Sequence, residues 1–297
     1  MNMPGFSVVV PASTANLGPG FDSVGLALSL YMTVKVSSHT SWKVSYNNEE
    51  YSGIPTDERN LIVTTIINVA EKYGKKSPTL LLNIDSEIPL GKGFGSSATA
   101  IAAGIEIANQ VLELRLTDHK KVVIGSEIEG HADNVSAALL GGAVVSYFEG
   151  ESIDYIHIEK PEVGIVVLVP PKVLPTEDSR SLLPDKLSHK EATRSSASGC
   201  VLSAALVTNN WDIIGRMMEK DGFHEPHRKH LFPSFDEIRQ SSKELGAYGM
   251  TVSGAGPSLF VAVPIGKEEW IANELANCFP FYKSIATQPS ESGTTVK

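Results

Sequence analysis

The stretch Ile88–Ala103 reads IPLGKGFGSSATAIAA and places three glycines within positions 91–95, directly ahead of a helix-forming run. Glycine has no Cβ, so the backbone of such a loop can approach a ligand closely. The start of the following helix adds unpaired N–H groups and the positive end of the helix dipole, which favour an anion such as phosphate. Ser96 and Ser97 add hydroxyl groups for phosphate oxygens or for a hard cation such as Mg²⁺. On its own, a glycine run is more often a tight turn whose serine caps a helix, so the rest of the chain decides.

Two common nucleotide-binding motifs do not fit this stretch. A Walker A motif needs G-x-x-x-x-G-K-[ST], but Lys92 is followed by Gly93. The dinucleotide motif G-x-G-x-x-G fails because Ser96 stands where its third glycine belongs. The loop therefore belongs to neither a P-loop NTPase nor a Rossmann dinucleotide site.

The composition favours a soluble protein over a nucleic-acid-binding or membrane protein. The 297 residues fit one large domain or two ordinary ones, and a hydrophobic content of 42% allows a substantial core. The formal net charge of −9 argues against non-specific nucleic-acid binding, although local charge can still bind an anionic substrate. Cys200 and Cys278 form neither a disulfide framework nor a metal-spaced pair. Without a signal peptide or a stretch of about 20 apolar residues, we expect a cytoplasmic protein with no membrane partner.

Hydrophobic periodicity predicts a mixed chain of strands and helices. The predicted strands are Phe6–Pro11, Leu26–Ser37, Trp42–Tyr46, Thr79–Ile84, Gly164–Val169 and a hairpin over Met250–Val263. The predicted helices are Leu61–Lys72, His119–Glu129, Glu191–Thr208, Trp211–Met218, Phe235–Leu245 and Glu268–Phe279. A polar, acidic connection at Glu149–Lys160 predicts a boundary between domains 1–155 and 156–297, and the polar segment Gln288–Lys297 is expected to be disordered.

Two further segments concentrate polar groups that suit chemistry. Pro11–Asp22 reads PASTANLGPGFD and predicts a loop in which Asn16 and Asp22 either contact a ligand or form Asx turns. Glu127–Asn134 reads EIEGHADN, and its carboxylates and imidazole suit metal binding or acid–base work. The alternative for this second segment is a solvated turn or a helix cap, and it lacks the H-E-x-x-H pattern of a zinc site.

Three segments in this order closely resemble the three motifs of the GHMP kinases: PASTANLGPGFDSVG at 11–25, PLGKGFGSSATA at 89–100 and TVSGAGPSLFV at 251–261. Within that superfamily the first segment looks most like the homoserine kinases. EGHADNV followed by LLGG, and PTEDSRSLLP with its Thr-x-x-x-Arg, point the same way. The resemblance runs from Val8 to about Val263 and carries expectations for the fold, the reaction and the site.

The resemblance implies an α+β chain with the two-domain GHMP kinase fold. Its N-terminal, ATP-binding half would be similar to a ribosomal-protein-S5-like domain and its C-terminal half to a ferredoxin-like domain. The implied reaction transfers the γ-phosphoryl group of ATP to the hydroxyl of L-homoserine, in threonine biosynthesis, with Mg²⁺ as the cofactor. Relatives also suggest a homodimer.

The resemblance also implies roles for individual residues. The nucleotide-binding positions would be Asn60, Pro89, Leu90, Gly91, Lys92, Gly93, Phe94, Gly95, Ser96 and Ser97. The positions that surround homoserine would be Asn16, Asp22, His131, Asp133, Thr176, Arg180, Arg228 and Gly254. Ser97 and Glu129 would hold Mg²⁺, with Glu127 as the competing carboxylate, and Asn60 is nearly as well explained as a plain N-cap.

The chemistry of an amino-acid substrate agrees with these positions. A carboxylate suits the planar, always-charged fork of an arginine such as Arg180 or Arg228, and an ammonium suits acceptors such as carboxylates. A primary alcohol ionises poorly, so a general base would assist, and Asp22 and Asp133 are both candidates beside the catalytic Glu129. A loose phosphoryl-transfer transition state would need little help from a base, so catalysis without one stays open.

Three alternatives compete with this prediction. Another GHMP kinase, of the mevalonate type, would act on a substrate that carries a carboxylate but no ammonium, which leaves Asp22 and Asp133 unexplained. A regulator that keeps the fold without catalysis should have lost Glu129, Asp133 or the serines, and all are present. A nucleic-acid-binding protein conflicts with the acidic net charge.

Overall fold

A computed structural model gives the fold and describes residues 5–174 and 176–297, with the backbone alone at residues 176 and 177. The strands are β1 (Phe6–Asn16), β2 (Gly20–Ser38), β3 (Lys43–Tyr46), β4 (Leu80–Ser86), β5 (Ala143–Glu149), β6 (Ser152–Ile158), β7 (Gly164–Val169), β8 (Gly249–Val252), β9 (Leu259–Val263), β10 (Lys283–Thr287) and β11 (Thr295–Val296). The helices are α1 (Leu61–Lys72), α2 (Ser96–Val111), α3 (Asp118–Glu129), α4 (Asp133–Leu140), α5 (Thr176–Arg180), α6 (His189–Val207), α7 (Trp211–Met218), α8 (Glu225–Arg228), α9 (Phe235–Glu244) and α10 (Glu268–Cys278). None of the helices in the described ranges combines the length and the hydropathy that crossing a membrane requires.

The larger sheet is built around the long strand β2. Strand β1 pairs antiparallel along one side of β2, while β4 and then β5 pair antiparallel along the other. Strands β11, β3 and β6 extend the sheet beyond β1, β4 and β5, and β3 pairs parallel with β4. Helices α2 and α4 pack against β1, and α1 packs against α2, so the N-termini of α2 and α4 are fixed beside the first hairpin.

The smaller sheet has the antiparallel order β10-β7-β9-β8 and shares one core with the larger sheet. Alternate residues of β7 point to opposite faces, as strand geometry requires. Ile165 and Val167 belong to the core that also contains the larger sheet, whereas Val166 and Leu168 belong to a second core with residues of α9 and α10. Because apolar packing continues from one sheet to the other, the two halves hold each other in place. The α+β class expected from the sequence is confirmed.

Local capping explains why two helices have the predicted bounds. Helix α1 begins after Asn60, whose side chain accepts a hydrogen bond from the N–H of Ile62. Helix α7 begins after Asn210, whose side chain accepts from the N–H of Ile213. Apolar residues recur on one side of each helix and are buried, so pattern and cap agree.

Two predictions about connections are wrong. The expected loop Pro11–Asp22 is mostly strand, because β1 continues to Asn16 and bends through register shifts after Pro11 and after Ala15. The expected connection Glu149–Lys160 contains the edge strand β6, which belongs to the larger sheet. The division of the chain at 155 and 156 stays a prediction.

The segment Gln288–Lys297, expected to be disordered, is ordered instead. Its strand β11 pairs with β1, and the N–H and C=O of Lys297 both bond to the backbone of Ser7 at 2.9 Å. Just before β11, the N–H of Thr294 donates to the carbonyl of Leu139, near the end of α4, at 3.1 Å. Backbone pairing orders this segment, and a polar composition gives no sign of it.

Candidate active site

The three segments quoted from the sequence meet between the two sheets. The hydroxyls of Thr14 and Ser253 lie 2.8 Å apart, and the Ser253 hydroxyl donates to the carbonyl of Gly93 at 2.6 Å. The side-chain amide of Asn16 donates to the carbonyl of Gly254 at 3.1 Å. The end of β1, the glycine loop and the β8–β9 turn are therefore joined by direct hydrogen bonds.

A cavity of about 390 Å³ opens where these segments meet. That volume is within the usual range for small-ligand sites. Its walls include these predicted residues: Asn16, Asp22, Asn60, Leu90, Gly91, Lys92, Gly93, Gly95, Ser96, Ser97, Glu129, His131, Asp133, Arg180, Arg228 and Gly254. Two predicted residues that the structure describes, Pro89 and Phe94, are not on the wall. Phe94 is fully buried in the larger core, so its side chain anchors the loop, and the side chain of Thr176 lies outside the described residues.

The glycine loop needs glycine at two positions for geometric reasons. Gly95 is the N-cap of α2 with φ of 67°, and a Cβ there would lie 2.3 Å from the Ser13 hydroxyl. Gly93 has φ of 80°, and a Cβ there would lie 2.4 Å from the carbonyl oxygen of Ser253. These contacts bring the loop backbone against both neighbouring segments and leave the N-terminus of α2 facing the cavity.

The ammonium group of Lys92 is engaged by the protein. It donates to the carbonyl oxygens of Pro170, Pro171 and Lys172 at 3.0, 2.6 and 2.8 Å. Burial lowers the pKa of Lys92, with Glu50 partly offsetting that effect. Lys92 therefore connects the glycine loop to the segment after β7 and is also one of the residues that line the cavity.

Ser97 and Glu129 form a pair of oxygen donors at the mouth of the loop. The Ser97 hydroxyl donates to the Glu129 carboxylate at 2.9 Å. Burial raises the pKa of Glu129, and the charge of His131 and the bond from Ser97 offset this only in part. Glu127, the competing carboxylate, bonds instead to Lys72, and neither of them is among the residues that line the cavity. The geometry favours Glu129 over Glu127.

The half-buried His131 and the buried Asp133 form a pair beside Asp22. Asp133 is 2% exposed, and its Oδ1 accepts from the N–H of Asn134 and bonds His131 Nδ1, both at 2.7 Å. Burial lowers the pKa of His131, but the bond to Asp133 and the charges of the surrounding carboxylates outweigh burial, so the pKa is raised. One atom each from Asp22, His131 and Asp133 lie within 4.8 Å of one another, a grouping that suits a positively charged ligand group.

Asp22 and Arg180 form a two-bond ion pair across the cavity. Nη1 and Nη2 of Arg180 donate to the two carboxylate oxygens of Asp22 at 3.0 and 2.6 Å, and this bonding raises the pKa of Arg180. The backbone that presents Asp22 is in the left-handed region, with φ of 53° at Asp22 and 73° at Asn16. The Asn16 side chain supports this conformation by accepting from the N–H of Asp22 at 3.0 Å.

Arg228 is buried, but its guanidinium group is only partly hydrogen-bonded by the residues that the structure describes. It is 1% exposed, and its Nε donates to the carbonyl of Ser179 at 3.0 Å. Its Nη1 is buried with no hydrogen-bond partner among the residues that the structure describes. Burial lowers the pKa of Arg228 to about 10, and the charge of Arg180 contributes to the decrease. An arginine in this condition gains from an anion in the cavity.

An aromatic pair at the other end of the cavity was not predicted. The rings of Tyr46 and Tyr51 stack with centroids 5.0 Å apart, and both residues line the cavity. Asn60 donates to the Tyr46 hydroxyl at 2.8 Å while its carbonyl caps α1, so Asn60 is both an N-cap and a wall residue. The sequence predicted a strand that ends at Tyr46, but the stacking depends on Tyr51, in a segment that follows the strand.

Comparison with known proteins gives a consistent set of matches. The family described as GHMP kinases N terminal domain matches residues 60–142, and the family described as GHMP kinases C terminal matches residues 202–280. A homoserine kinase of Bacillus cereus is 47% identical over 294 residues, covering 98% of this chain and 96% of that protein. A solved Listeria monocytogenes structure, assigned as a homoserine kinase, has a TM-score of 0.85 and 36% identity over 98% of this chain and 99% of its own. The crystal structure of a homoserine kinase from Cytophaga hutchinsonii has a TM-score of 0.88 and 25% identity over 99% of this chain and 98% of its own.

Proposed function

The chain belongs to the homoserine kinases of the GHMP kinase family, and from this premise we propose that it transfers the γ-phosphoryl group of ATP to the side-chain hydroxyl of L-homoserine. The product is O-phospho-L-homoserine, an intermediate of threonine biosynthesis. The resemblance and the two-domain GHMP kinase fold expected from the sequence are confirmed. One observation carries the proposal: a single cavity joins a phosphate-type glycine loop to an Asp22–Arg180 pair that matches an amino acid.

The nucleotide end of the cavity is proposed at the glycine loop. Backbone N–H groups of residues 91–97 and the dipole of α2 would hold the triphosphate, since both favour an anion at this position. The stacked Tyr46 and Tyr51, with Ile62 on the same wall, offer an apolar and aromatic surface for the adenine ring. Phosphoryl transfer depends mainly on positioning and charge neutralisation, which these groups provide.

We propose Ser97 and Glu129 as the protein ligands of the Mg²⁺ that accompanies ATP. A hydroxyl and a carboxylate oxygen 2.9 Å apart are the hard donors that Mg²⁺ prefers, and it retains waters for its other positions. The raised pKa of Glu129 fits the same role, because a cation nearby would stabilise a buried carboxylate. When bound, the metal ion would neutralise charge on the phosphate oxygens.

The amino-acid end of the cavity is proposed around Asp22 and Arg180. L-Homoserine carries an ammonium and a carboxylate, so it can replace each member of the ion pair as the partner of the other. The ammonium would lie among Asp22, His131 and Asp133, whose polar atoms are already grouped. The carboxylate would meet Arg180 and the unpartnered Nη1 of Arg228. Asn16 supports this end through Asp22 and Gly254, and a role for Thr176 stays a prediction.

Asp133 is the carboxylate that we propose as the general base. In the proposed complex the substrate ammonium takes the place of Arg180 at Asp22, whereas the two bonds described for Asp133 use Oδ1 alone and leave Oδ2 outside them. Asp22 then acts as the acceptor for the substrate ammonium.

Assembly and location stay predictions that rest on the resemblance and the composition. A homodimer is expected to elute from size-exclusion chromatography with light scattering at twice the chain mass of 31.8 kDa. A mass of one chain at micromolar concentration would contradict it. Cytoplasmic location is expected from the sequence pattern described above.

A substrate series tests the proposed function at the amino-acid end. A coupled ATP-consumption assay would compare L-homoserine with 4-hydroxybutyrate, which lacks the ammonium, and with 3-aminopropan-1-ol, which lacks the carboxylate. Losing a partner of a buried charge costs about 2–5 kcal/mol, so each analogue should lose roughly 30-fold or more in kcat/KM. Mevalonate and galactose should show no turnover above background. Preference for mevalonate, or for 4-hydroxybutyrate over L-homoserine, would overturn the assignment of the amino-acid end.

A further inference from the structure

We propose that Phe21 is a positioning residue that fixes both arginines of the amino-acid end and thereby sets the affinity for a substrate carboxylate. The proposal rests on the proposed function, because it deepens the account of that same site. Phe21 lines the cavity and lies between Gly20 and Asp22 at the start of β2. Its side chain has no donor or acceptor, so any effect on the arginines acts through the ring.

Two guanidinium groups lie over the ring of Phe21. The Cζ of Arg180 lies over the ring at 5.4 Å from its centroid, and the Cζ of Arg228 lies over it at 5.7 Å. Both distances are within the reach of a cation–π interaction, which is stronger where water is excluded. Arg228 is nearly fully buried, and its hydrogen bond to the carbonyl of Ser179 fixes one edge of the guanidinium and leaves Nη1 unpartnered.

Two cations so close to each other would separate without compensation. The charge of Arg180 is one cause of the lowered pKa of Arg228, after burial, because two like charges repel. Asp22 bonds Arg180 from one side, but L-homoserine is proposed to take part of that bonding when it binds. The negative face of the Phe21 ring attracts both groups at once, in addition to the charges of the nearby carboxylates.

Two other rings pack against the ring of Phe21. The His224 ring lies 5.4 Å from the Phe21 ring, and His224 Nε2 donates to the carbonyl of Gly18 at 3.0 Å. The Phe223 ring stacks on Phe21 at 6.5 Å. Because these contacts fix the ring, the ring can fix the guanidinium groups, and Phe21 need not touch the reacting atoms.

The test separates ring electrostatics from ring shape. Phe21 would be replaced by 4-fluoro-, 3,5-difluoro- and 3,4,5-trifluorophenylalanine, which keep the shape while weakening the negative face step by step, and also by Leu and Tyr. The KM for L-homoserine should rise stepwise along the fluorinated series and about tenfold or more in Phe21→Leu, a change that corresponds to about 1.4 kcal/mol per tenfold. Phe21→Tyr should restore most of the affinity, and the KM for ATP should stay within about twofold of wild type throughout, because the ring is a carboxylate-end contact.

Two outcomes would overturn the proposal. A flat KM for L-homoserine along the fluorinated series, in an enzyme that turns over, would show that Phe21 acts by shape and not through the arginine cations. Equal rises in the KM values of both substrates would show a general structural role.

If the wild type shows no turnover, the proposed function fails, and NMR of arginine-labelled protein still decides this inference. The Nε–Hε resonances of Arg180 and Arg228 should then lose their ring-current shifts in Phe21→Leu and keep them in Phe21→Tyr; shifts that are the same in Phe21→Leu and wild type would contradict it.

Discussion

At the scale of single residues, the site consists of charged side chains whose arrangement suits charged ligands. Arg228 is buried with an unpartnered Nη1, Glu129 is half-buried with a raised pKa, and Asp22 and Arg180 neutralise each other. The unpartnered Nη1 of Arg228 and the raised pKa of Glu129 each correspond to a cost in free energy, which a substrate carboxylate and Mg²⁺, respectively, would relieve. The arrangement therefore favours binding of a charged amino acid and a charged nucleotide in one cavity.

The roles of Glu129 and Glu127 can be separated by a matched pair of variants. Glu129→Gln keeps the shape but removes a proposed Mg²⁺ ligand, so kcat should fall by about 10² or more and half-maximal activity should need more Mg²⁺. Glu127→Gln should stay within about twofold of wild type, because it removes a surface ion pair with Lys72 that is worth about 0–1 kcal/mol. The measurement is kcat against Mg²⁺ concentration for both variants. Equal behaviour of the two variants would remove Glu129 from the metal site.

Substitution of Asp133 and substitution of Asp22 should change different kinetic constants. Asp133→Asn should lower kcat by about 10²–10⁴ if Asp133 is the general base. Asp22→Asn should mainly raise the KM for L-homoserine, because it removes an acceptor for the ammonium and the partner of Arg180. Initial-rate kinetics of both variants would decide. A fall of only about tenfold in kcat for each would support phosphoryl transfer without a base.

His224 should make stability depend on pH in the acid range. It is fully buried, and burial lowers its pKa, with Asp221 offsetting that effect only in part. Because the unfolded imidazole takes up a proton near its ordinary pKa of about 6.5, the unfolded state binds more protons below that pH and the free energy of unfolding falls. Urea unfolding would be measured between about pH 5 and pH 7.5. As the pH falls, the free energy of unfolding of the wild type should decrease by up to about 1.4 kcal/mol per pH unit more than that of His224→Gln. A difference between the two proteins that does not change with pH would contradict this.

Residue types and spacing singled out the glycine loop and the acidic segment, and the family resemblance added Arg180 and Arg228, but neither gave the contacts inside the cavity. The glycine loop and the acidic segment could be predicted because each lies within about ten consecutive positions. The pairing of Asp22 with Arg180 joins residues 158 positions apart, and no local pattern reports it. The ring contacts of Phe21 and the stacking of Tyr46 on Tyr51 are hidden for the same reason, since they depend on which segments the fold brings together.

At the scale of elements, local signals succeeded where a cap and a periodic face agreed. Helices α1 and α7 have the predicted bounds because an asparagine cap precedes each apolar face. The segments Pro11–Asn16 and Ser152–Ile158 were mistaken because their small or polar residues resemble turns, while long-range strand pairing holds them extended. Tertiary pairing overrode local propensity in both.

The segment 288–297 should support α4 and hence the position of Asp133. The segment bonds to β1 through Lys297 and to the end of α4 through Thr294, so its removal leaves backbone groups unpaired at both places. Deleting residues 288–297 should lower the free energy of unfolding by a few kcal/mol, at about 0.5–1.5 kcal/mol per lost hydrogen bond.

The matched control for that deletion keeps the backbone. Thr295 is exposed, so Thr295→Ala retains the strand pairing and should change stability by less than about 0.5 kcal/mol. Thermal unfolding and kcat would be measured on both proteins. A deletion variant with the melting temperature and kcat of wild type would show that the segment does not support the site.

At the scale of the whole molecule, the site depends on a core that runs through both sheets. Residues on one face of β7 pack with the larger core, while the hydrogen bonds of Ser253 and Asn16 join the β8–β9 turn to the first sheet. The nucleotide end thus lies mainly on the first half, and Arg180 and Arg228 arrive from the second. Composition predicted a large core and an acidic surface, but it gave no information on how the two halves share that core.

The central claim is that this cavity places the hydroxyl of L-homoserine, and no other group of that molecule, in reach of the γ-phosphoryl of ATP. The most direct test is ³¹P NMR of the products formed from MgATP and L-homoserine by the wild-type protein. The account predicts a single phosphomonoester resonance that couples to the side-chain methylene protons of homoserine, formed in step with ADP. Release of inorganic phosphate alone, or a phosphorylated carboxylate or amine, would contradict it.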